Sequence, residues 1–186
     1  MKKRSLHPGT WLFPLPVALV SCGNMNTYNI ITISWTGTIC SDPPMCYISV
    51  RPERYSHQLL MDNPEFVINL ANAPLTFASD WCGVKSGRDV NKFKDLKLTP
   101  MKAETLNCPI ILESPINIEC KITEVKKLGS HDMFIAKVTN VQVSDNLFAD
   151  GAVVPNLKNA ELISYLKTVY LSQGEQLGRS GFSIKK

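Results

Sequence analysis

Asn29 to Gln58 read N-I-I-T-I-S-W-T-G-T-I-C-S-D-P-P-M-C-Y-I-S-V-R-P-E-R-Y-S-H-Q. Two runs are dense in β-branched residues, Ile30 to Ile33 and Tyr47 to Val50, and a loop holding Gly37 and Pro43-Pro44 separates them. β-branched and aromatic side chains fit a pleated, half-buried surface, so both runs predict strands. A basic, hydroxyl-rich tail follows the second run: Arg51, Arg54, Tyr55, Ser56 and His57. Neighbouring strands that end in guanidinium and hydroxyl groups suit a flat ligand carrying a phosphate.

The same patterning continues outward from this stretch. Strands are predicted at 17–22, 29–35, 45–51 and 65–71. Ser56 caps a short helix over 57–62 through its hydroxyl, and Asn63-Pro64 stops it. Residues 79–83 read as a helical turn, 84–88 as a loop and 89–93 as a short helix. Ile116, Ile118, Cys120 and Ile122 alternate with polar residues, the period of a strand with one buried face. After a turn at 128–132, the apolar set of 133–143 changes parity between Val138 and Val141, which predicts a bulge. Residues 160–171 read as a helix, with Leu162, Ile163, Leu166 and Val169 on one face. Residues 1–13 form a proline-marked arm and 172–186 a glycine-marked tail. Many short strands with few helices predict a mainly β, nearly closed antiparallel barrel. No G-x-G-x-x-G follows a strand and no G-x-x-x-x-G-K-[ST] occurs, which removes the sequence support for a Rossmann unit or a P-loop.

The bulk numbers bound the rest. At 186 residues, 44% hydrophobic and 19% charged, the chain is long enough for one domain with a sizeable core. The net charge of +4 sits partly at the termini and forms no basic stripe with interleaved aromatics, so nucleic acid is not an expected partner. No run of about 18 apolar residues predicts a membrane-spanning helix. Lys2-Lys3-Arg4 ahead of an apolar stretch and Leu19-Val20-Ser21-Cys22 has part of the form of a lipoprotein signal. Pro8, Pro14 and Pro16 break the helix such a signal prefers. The alternative is that this stretch is the first barrel strand. The six cysteines contain no C-x-x-C and no zinc spacing. Three disulfides would suit an exported protein; with no such framework in the spacing, reduced thiols in a cytoplasmic protein are expected.

Four segments in order, N-I-I-T-I-S-W, S-V-R-P-E-R-Y-S-H, C-G-V-K-S-G-R-D-V-N-K-F and L-G-S-H-D, resemble the flavin-reductase-like FMN-binding split barrels, and within that group the flavoredoxins. The resemblance runs from Pro14 to about Phe182. It implies a six-stranded Greek-key split barrel with flanking helices, a homodimer, and non-covalently bound FMN that transfers electrons. It implies a redox partner protein or a nicotinamide nucleotide, NAD(P)H, as the electron donor. Position by position, it places Asn29, Thr32, Ser34 and Trp35 on the strand that contacts the isoalloxazine. Ser49, Val50 and Arg51 fall on the next strand, and Arg54, Tyr55 and Ser56 on the turn after it. Ser86, Gly87 and Lys92 fall on the loop and helix that close the site. His131 matches a histidine beside the flavin or a nicotinamide. Ser56 stands where the family has threonine and keeps the hydroxyl. Ser130 and the pair Ala136-Lys137 depart from the family pattern, which touches nicotinamide use more than flavin binding. Relatives place an aromatic near position 164, where this chain has Ser164-Tyr165.

Each of these residues also has a plain reading. Arg51 and Arg54 suit solvated surface charges, Lys92 an exposed helix lysine, His131 a turn histidine in water and Trp35 core packing. The cysteines suit structural thiols more than redox chemistry. No Ser/His/Asp set stands out; a flavin would carry the chemistry itself, and the protein would bind it and tune its potential. A flavin-binding or heme-storage split barrel without turnover is the alternative function, because one fold serves several tasks.

Overall fold

The computed structural model describes residues 1–184. In chain order it contains β1 (Leu15–Pro16), β2 (Ala18–Asn24), β3 (Thr27–Ile33), β4 (Thr36–Ser41), β5 (Pro44–Val50), α1 (Tyr55–Asp62), β6 (Glu65–Leu70), α2 (Thr76–Val84) and α3 (Lys92–Asp95). It continues through β7 (Pro100–Lys102), β8 (Pro109–Ile111), β9 (Ile116–Lys127), β10 (Asp132–Val143), β11 (Ile163–Leu166) and β12 (Val169–Ser172). Single 3-10 turns lie at Ala73–Leu75, Asp145–Leu147 and Leu157–Ala160.

The main sheet runs β3-β2-β6-β9-β10-β5-β4, and every pairing is antiparallel. Its two end strands, β3 and β4, are separated in the chain only by Ser34 and Trp35. A flat sheet would hold those ends about 29 Å apart, six steps of about 4.8 Å. The chain from Ile33 to Thr36 reaches at most about 11 Å. The sheet therefore has to roll up, and Ser49 N donates to Trp35 O at 2.9 Å at the seam. The six expected barrel strands are all present, with β4 added at the edge. Strands β9 and β10 carry register shifts at Ile135/Ala136 and at Val138/Asn140, the second of them where the parity change predicts a bulge.

One apolar cluster fills the barrel, including Val20, Ile31, Ile48, Phe66, Cys120 and Phe134. A second lies between the sheet's outer face and the helices, including Leu19, Ile30, Leu75, Cys82 and Phe93. Strand β3 divides its side chains between the two, so it is buried on both faces.

Several elements differ from the sequence reading. Residues 160–171 are not a helix: β11 and β12 form a hairpin closing at Leu166↔Val169, with Lys167 at φ 59 in its turn. Ile163, Tyr165, Thr168, Val169 and Tyr170 are β-formers, and their density outweighs an apolar spacing that fits either period. The loop expected between the two β-branched runs holds strand β4, whose polar, glycine-bearing sequence is that of an exposed edge. Helix α2 is longer than the expected turn, because Asn72 accepts from Leu75 N at 3.3 Å and starts the turn that leads into it. Helix α3 begins at Lys92, with Asn91 as its cap. Strands β7 and β8 were missed; each is three residues long. Helix α1 begins at Tyr55, and Arg54 at its N-cap makes no side-chain capping bond. Ser56 is not the cap, since its hydroxyl is buried and accepts from Asn29 Nδ2 at 2.9 Å.

Candidate functional site

Strand β3 pairs with β2 alone, so its other edge is open within the sheet. The head of α1, the end of α2 and the loop 85–88 gather against that edge. They enclose a cleft of about 480 Å³ lined by Asn29, Ile31, Arg51, Glu53, Arg54, Tyr55, Ser56, Cys82, Lys85, Ser86, Gly87, Arg88 and Lys92. Five of these side chains are basic and one is acidic.

Each wall has a local cause. Arg54 Nη1 donates to Gly83 O at 3.4 Å, joining the head of α1 to the end of α2. Arg88 Nη1 donates to Glu53 O at 3.0 Å and stands 5.5 Å from the centroid of the Tyr55 ring, a cation–π contact. The loop is drawn tight at Gly87, where a Cβ would stand 2.2 Å from Asn29 Oδ1 and 2.9 Å from Tyr55 Cδ1. Only glycine leaves that corner open.

Lys92 is 4% exposed, against the plain reading of a surface lysine. Its ammonium donates to Ile30 O at 2.8 Å and to Cys82 O at 2.7 Å, and so ties α3 to β3 and to the last turn of α2. An ammonium has three donors; the protein takes two. Burial lowers its pKa, and the nearby Arg54 charge pushes in the same direction. Burial raises the Cys82 thiol to about 11 and the Cys22 thiol to about 12, so both stay protonated at neutral pH. All six cysteines are free; Cys46 Sγ and Cys120 Sγ approach to 3.4 Å inside the barrel.

Of the residues singled out from sequence, Asn29, Arg51, Arg54, Tyr55, Ser56, Ser86, Gly87 and Lys92 converge on this cleft. The others do not line it. Thr32 donates to Ser79 O at 2.5 Å and fastens α2 to β3. Val50 is a barrel core residue. Ser34 is half-buried at the seam. Trp35 and Ser49 line a neighbouring groove. Trp35 is 38% exposed, not a core residue, and its ring lies 4.5 Å from that of His131. Burial lowers the His131 pKa, and the Arg51 charge adds to it.

Five members of the cleft lay inside quoted motifs without being read as site residues: Ile31, Glu53, Cys82, Lys85 and Arg88. Sequence reading also missed His57 Nε2 and Asp132 Oδ2, which meet at 2.8 Å and clamp the head of α1 to β10. Their signal was faint, since the two residues are 75 positions apart.

Residues 10–158 match the model of the flavin reductase like domain. The chain belongs to this flavin reductase-like family. A relative from Pyrococcus abyssi (strain GE5 / Orsay), an uncharacterised protein, is 30% identical over 147 residues, covering 79% of this chain and 83% of its own. The structure is similar to the flavoredoxin of Desulfovibrio vulgaris (Miyazaki F), with a TM-score of 0.90 at 27% identity, over 99% of this chain and 100% of that one. It is also similar in fold to a flavoredoxin from Methanosarcina acetivorans, with a TM-score of 0.89 at 20% identity, over 98% and 97% of the two chains. This family member has the flavoredoxin-like split-barrel fold. Among its described residues no helix is long and apolar enough to cross a membrane.

Proposed function

We propose that this chain is an FMN-binding flavoprotein oxidoreductase of flavoredoxin type, a single domain acting as a cytoplasmic homodimer. One observation carries the reading: the cleft at the head of α1 combines a basic wall, hydroxyls and a helix start with no side-chain cap. The phosphate of FMN is close to dianionic at neutral pH. Guanidinium groups bind such anions through paired, charge-assisted hydrogen bonds. Arg51, Arg54 and Arg88 supply them, and Ser86 adds a hydroxyl. The first-turn amides of α1 add N–H donors and a partial positive charge. The residues present therefore fit the group.

Bound there, FMN would supply hydride and single-electron chemistry. The protein's part is to hold and tune it. The Gly87 corner admits a close-lying ligand, Asn29 offers an amide at the cleft floor, and the third Lys92 donor stabilises negative charge. The protonated Cys82 takes no part as a thiolate. NADH or NADPH is the proposed electron donor, with a redox partner protein as the other route.

Titration of the purified chain with FMN tests the binding. Saturable quenching of flavin fluorescence and a thermal shift are expected; the absence of both would refute the proposal. Anaerobic mixing of the loaded protein with NADH and then NADPH separates the two donor routes. Bleaching of the flavin indicates nicotinamide use, and no bleaching leaves a protein donor.

A further inference from the structure

A second groove, of about 770 Å³, lies between the N-terminal arm and β5. Its walls are mostly rings: Trp11, Phe13, Trp35, Tyr47 and Tyr165, with Lys167 at one side. The arm is not loose there. Leu15 pairs with Tyr165 across β1 and β11, and Lys167 Nζ stands 5.2 Å from the centroid of the Trp11 ring. Trp11 nevertheless remains 55% exposed and Leu12 84% exposed, so the groove presents apolar surface to solvent.

The polar side-chain groups of the lining residues are the hydroxyls of Thr10, Tyr47, Ser49 and Tyr165, the indole N–H groups of Trp11 and Trp35 and the ammonium of Lys167. No acidic side chain lines the groove, and among the described residues no carboxylate lies within ion-pair distance of Lys167. The flat walls select a planar ring by stacking, and the lone cation selects an anionic substituent. The volume lies in the range of ligand pockets and admits one or two fused rings with room to spare. The groove lies close to the basic cleft along the chain. Tyr47 and Ser49 stand on the outward face of β5, and Arg51 follows just past its end, about 7 Å per step. Tyr47 and Ser49 line the groove and Arg51 lines the cleft.

We infer that this groove is a binding site for a planar aromatic carboxylate, clamped between the Trp11 arm and β5 with its carboxylate on Lys167. The inference does not rest on flavin binding, but Trp35 and Ser49 are also residues that the family resemblance places toward the flavin, so the groove is tested on the full chain with and without FMN. The probe is 1-hydroxy-2-naphthoate, followed by calorimetry and tryptophan quenching. Saturable one-to-one binding is expected. Trp11→Ala and Lys167→Glu each weaken it at least tenfold, with circular dichroism and FMN affinity unchanged. Cyclohexanecarboxylate, which is not planar, and 2-naphthalenemethanol, which is not charged, each bind at least tenfold more weakly. Three results would overturn the inference: no saturation at millimolar probe, binding that survives both substitutions, or equal binding of cyclohexanecarboxylate. Loss of probe binding as the chains self-associate would overturn it too, since a second copy would then cover the groove. Because FMN binding is read separately, failure of this site and failure of the flavin site are distinct results.

Discussion

Gly87 packs so closely on Asn29 that a Cβ at position 87 would stand 2.2 Å from Asn29 Oδ1. That distance is below any real Cβ contact, so a side chain there has to push the loop or the amide away. Asn29 is 5% exposed and bonded to Ser56, so it gives little ground. Gly87→Ala is therefore expected to crowd and distort the corner of the cleft. We predict at least a tenfold rise in the Kd for FMN, with a loss of stability of about 1–2 kcal/mol, in the range of modest overpacking. Fluorescence titration and denaturant unfolding read the two effects separately.

The arginines make a different prediction, because they address the phosphate and not the ring. Arg54 spans from the head of α1 to Gly83 O and is exposed. Hydrogen bonds to charged groups contribute about 1.5–3 kcal/mol, which is roughly 10- to 100-fold in affinity. Arg54→Ala is expected to weaken FMN binding by that factor and to leave riboflavin, which lacks the phosphate, nearly unaffected. Added salt should weaken FMN binding to the native chain more than to the variant. Equal losses for FMN and riboflavin would show that Arg54 does not face the phosphate.

The strands were legible where apolar and polar residues alternate, even where the polar face is itself buried, as at Asn117 and Glu119. Ile116 to Ile122 alternate cleanly, and the change of parity between Val138 and Val141 marked a real register shift. The hairpin at Ile163 to Ser172 was not legible, because Leu162, Ile163, Leu166 and Val169 satisfy helical spacing as well. Strand β4 was hidden by its edge position, which asks for no apolar alternation. For the cleft, the basic tail after β5 was readable because charge and hydroxyls cluster within a few residues. The burial of Lys92 was not. A lysine's surroundings are set by which carbonyls the fold brings to it, here Ile30 O and Cys82 O, and these lie 62 and 10 positions away. Trp35 was placed with the flavin strand, yet the seam turns its ring toward His131 and the neighbouring groove.

Lys92 tests electrostatic tuning. Its ammonium is buried, and burial already lowers its pKa. Lys92→Met keeps the length of the stem and removes the charge. With less stabilisation of negative charge, the midpoint potential of bound flavin is expected to fall by on the order of 30 mV, equivalent to about 1.4 kcal/mol for a two-electron couple. Spectroelectrochemistry checks this. An unchanged potential would mean that Lys92 only braces α3 against β3 and α2.

Glu119 predicts how the fold responds to acid. It is fully buried, and its carboxylate accepts from the amides of Glu104 and Thr105 at 3.0 and 2.7 Å and from Thr105 Oγ1 at 2.6 Å. Asn140 Nδ2 and Gln142 Nε2 add bonds of 3.0 and 2.8 Å. Burial pushes the pKa up, but the hydrogen bonds from Thr105, Gln142 and Glu104 outweigh it and bring it down to about 2. An unfolded glutamate titrates near about 4.3. A carboxylate whose folded pKa is depressed contributes stability that is complete above the unfolded value. That stability is lost as pH falls toward the folded value. The loss is expected between about pH 5 and pH 2. Glu119→Gln keeps the shape but turns one acceptor into a donor facing other donors. It is expected to cost about 2–4 kcal/mol at pH 7, within the range for a broken buried network. The variant should also flatten the acid limb of the stability curve. Denaturant unfolding of both proteins at pH 7 and pH 3 measures this. Parallel curves with the same acid slope would show that Glu119 is not the group whose protonation loosens the loop at 103–107.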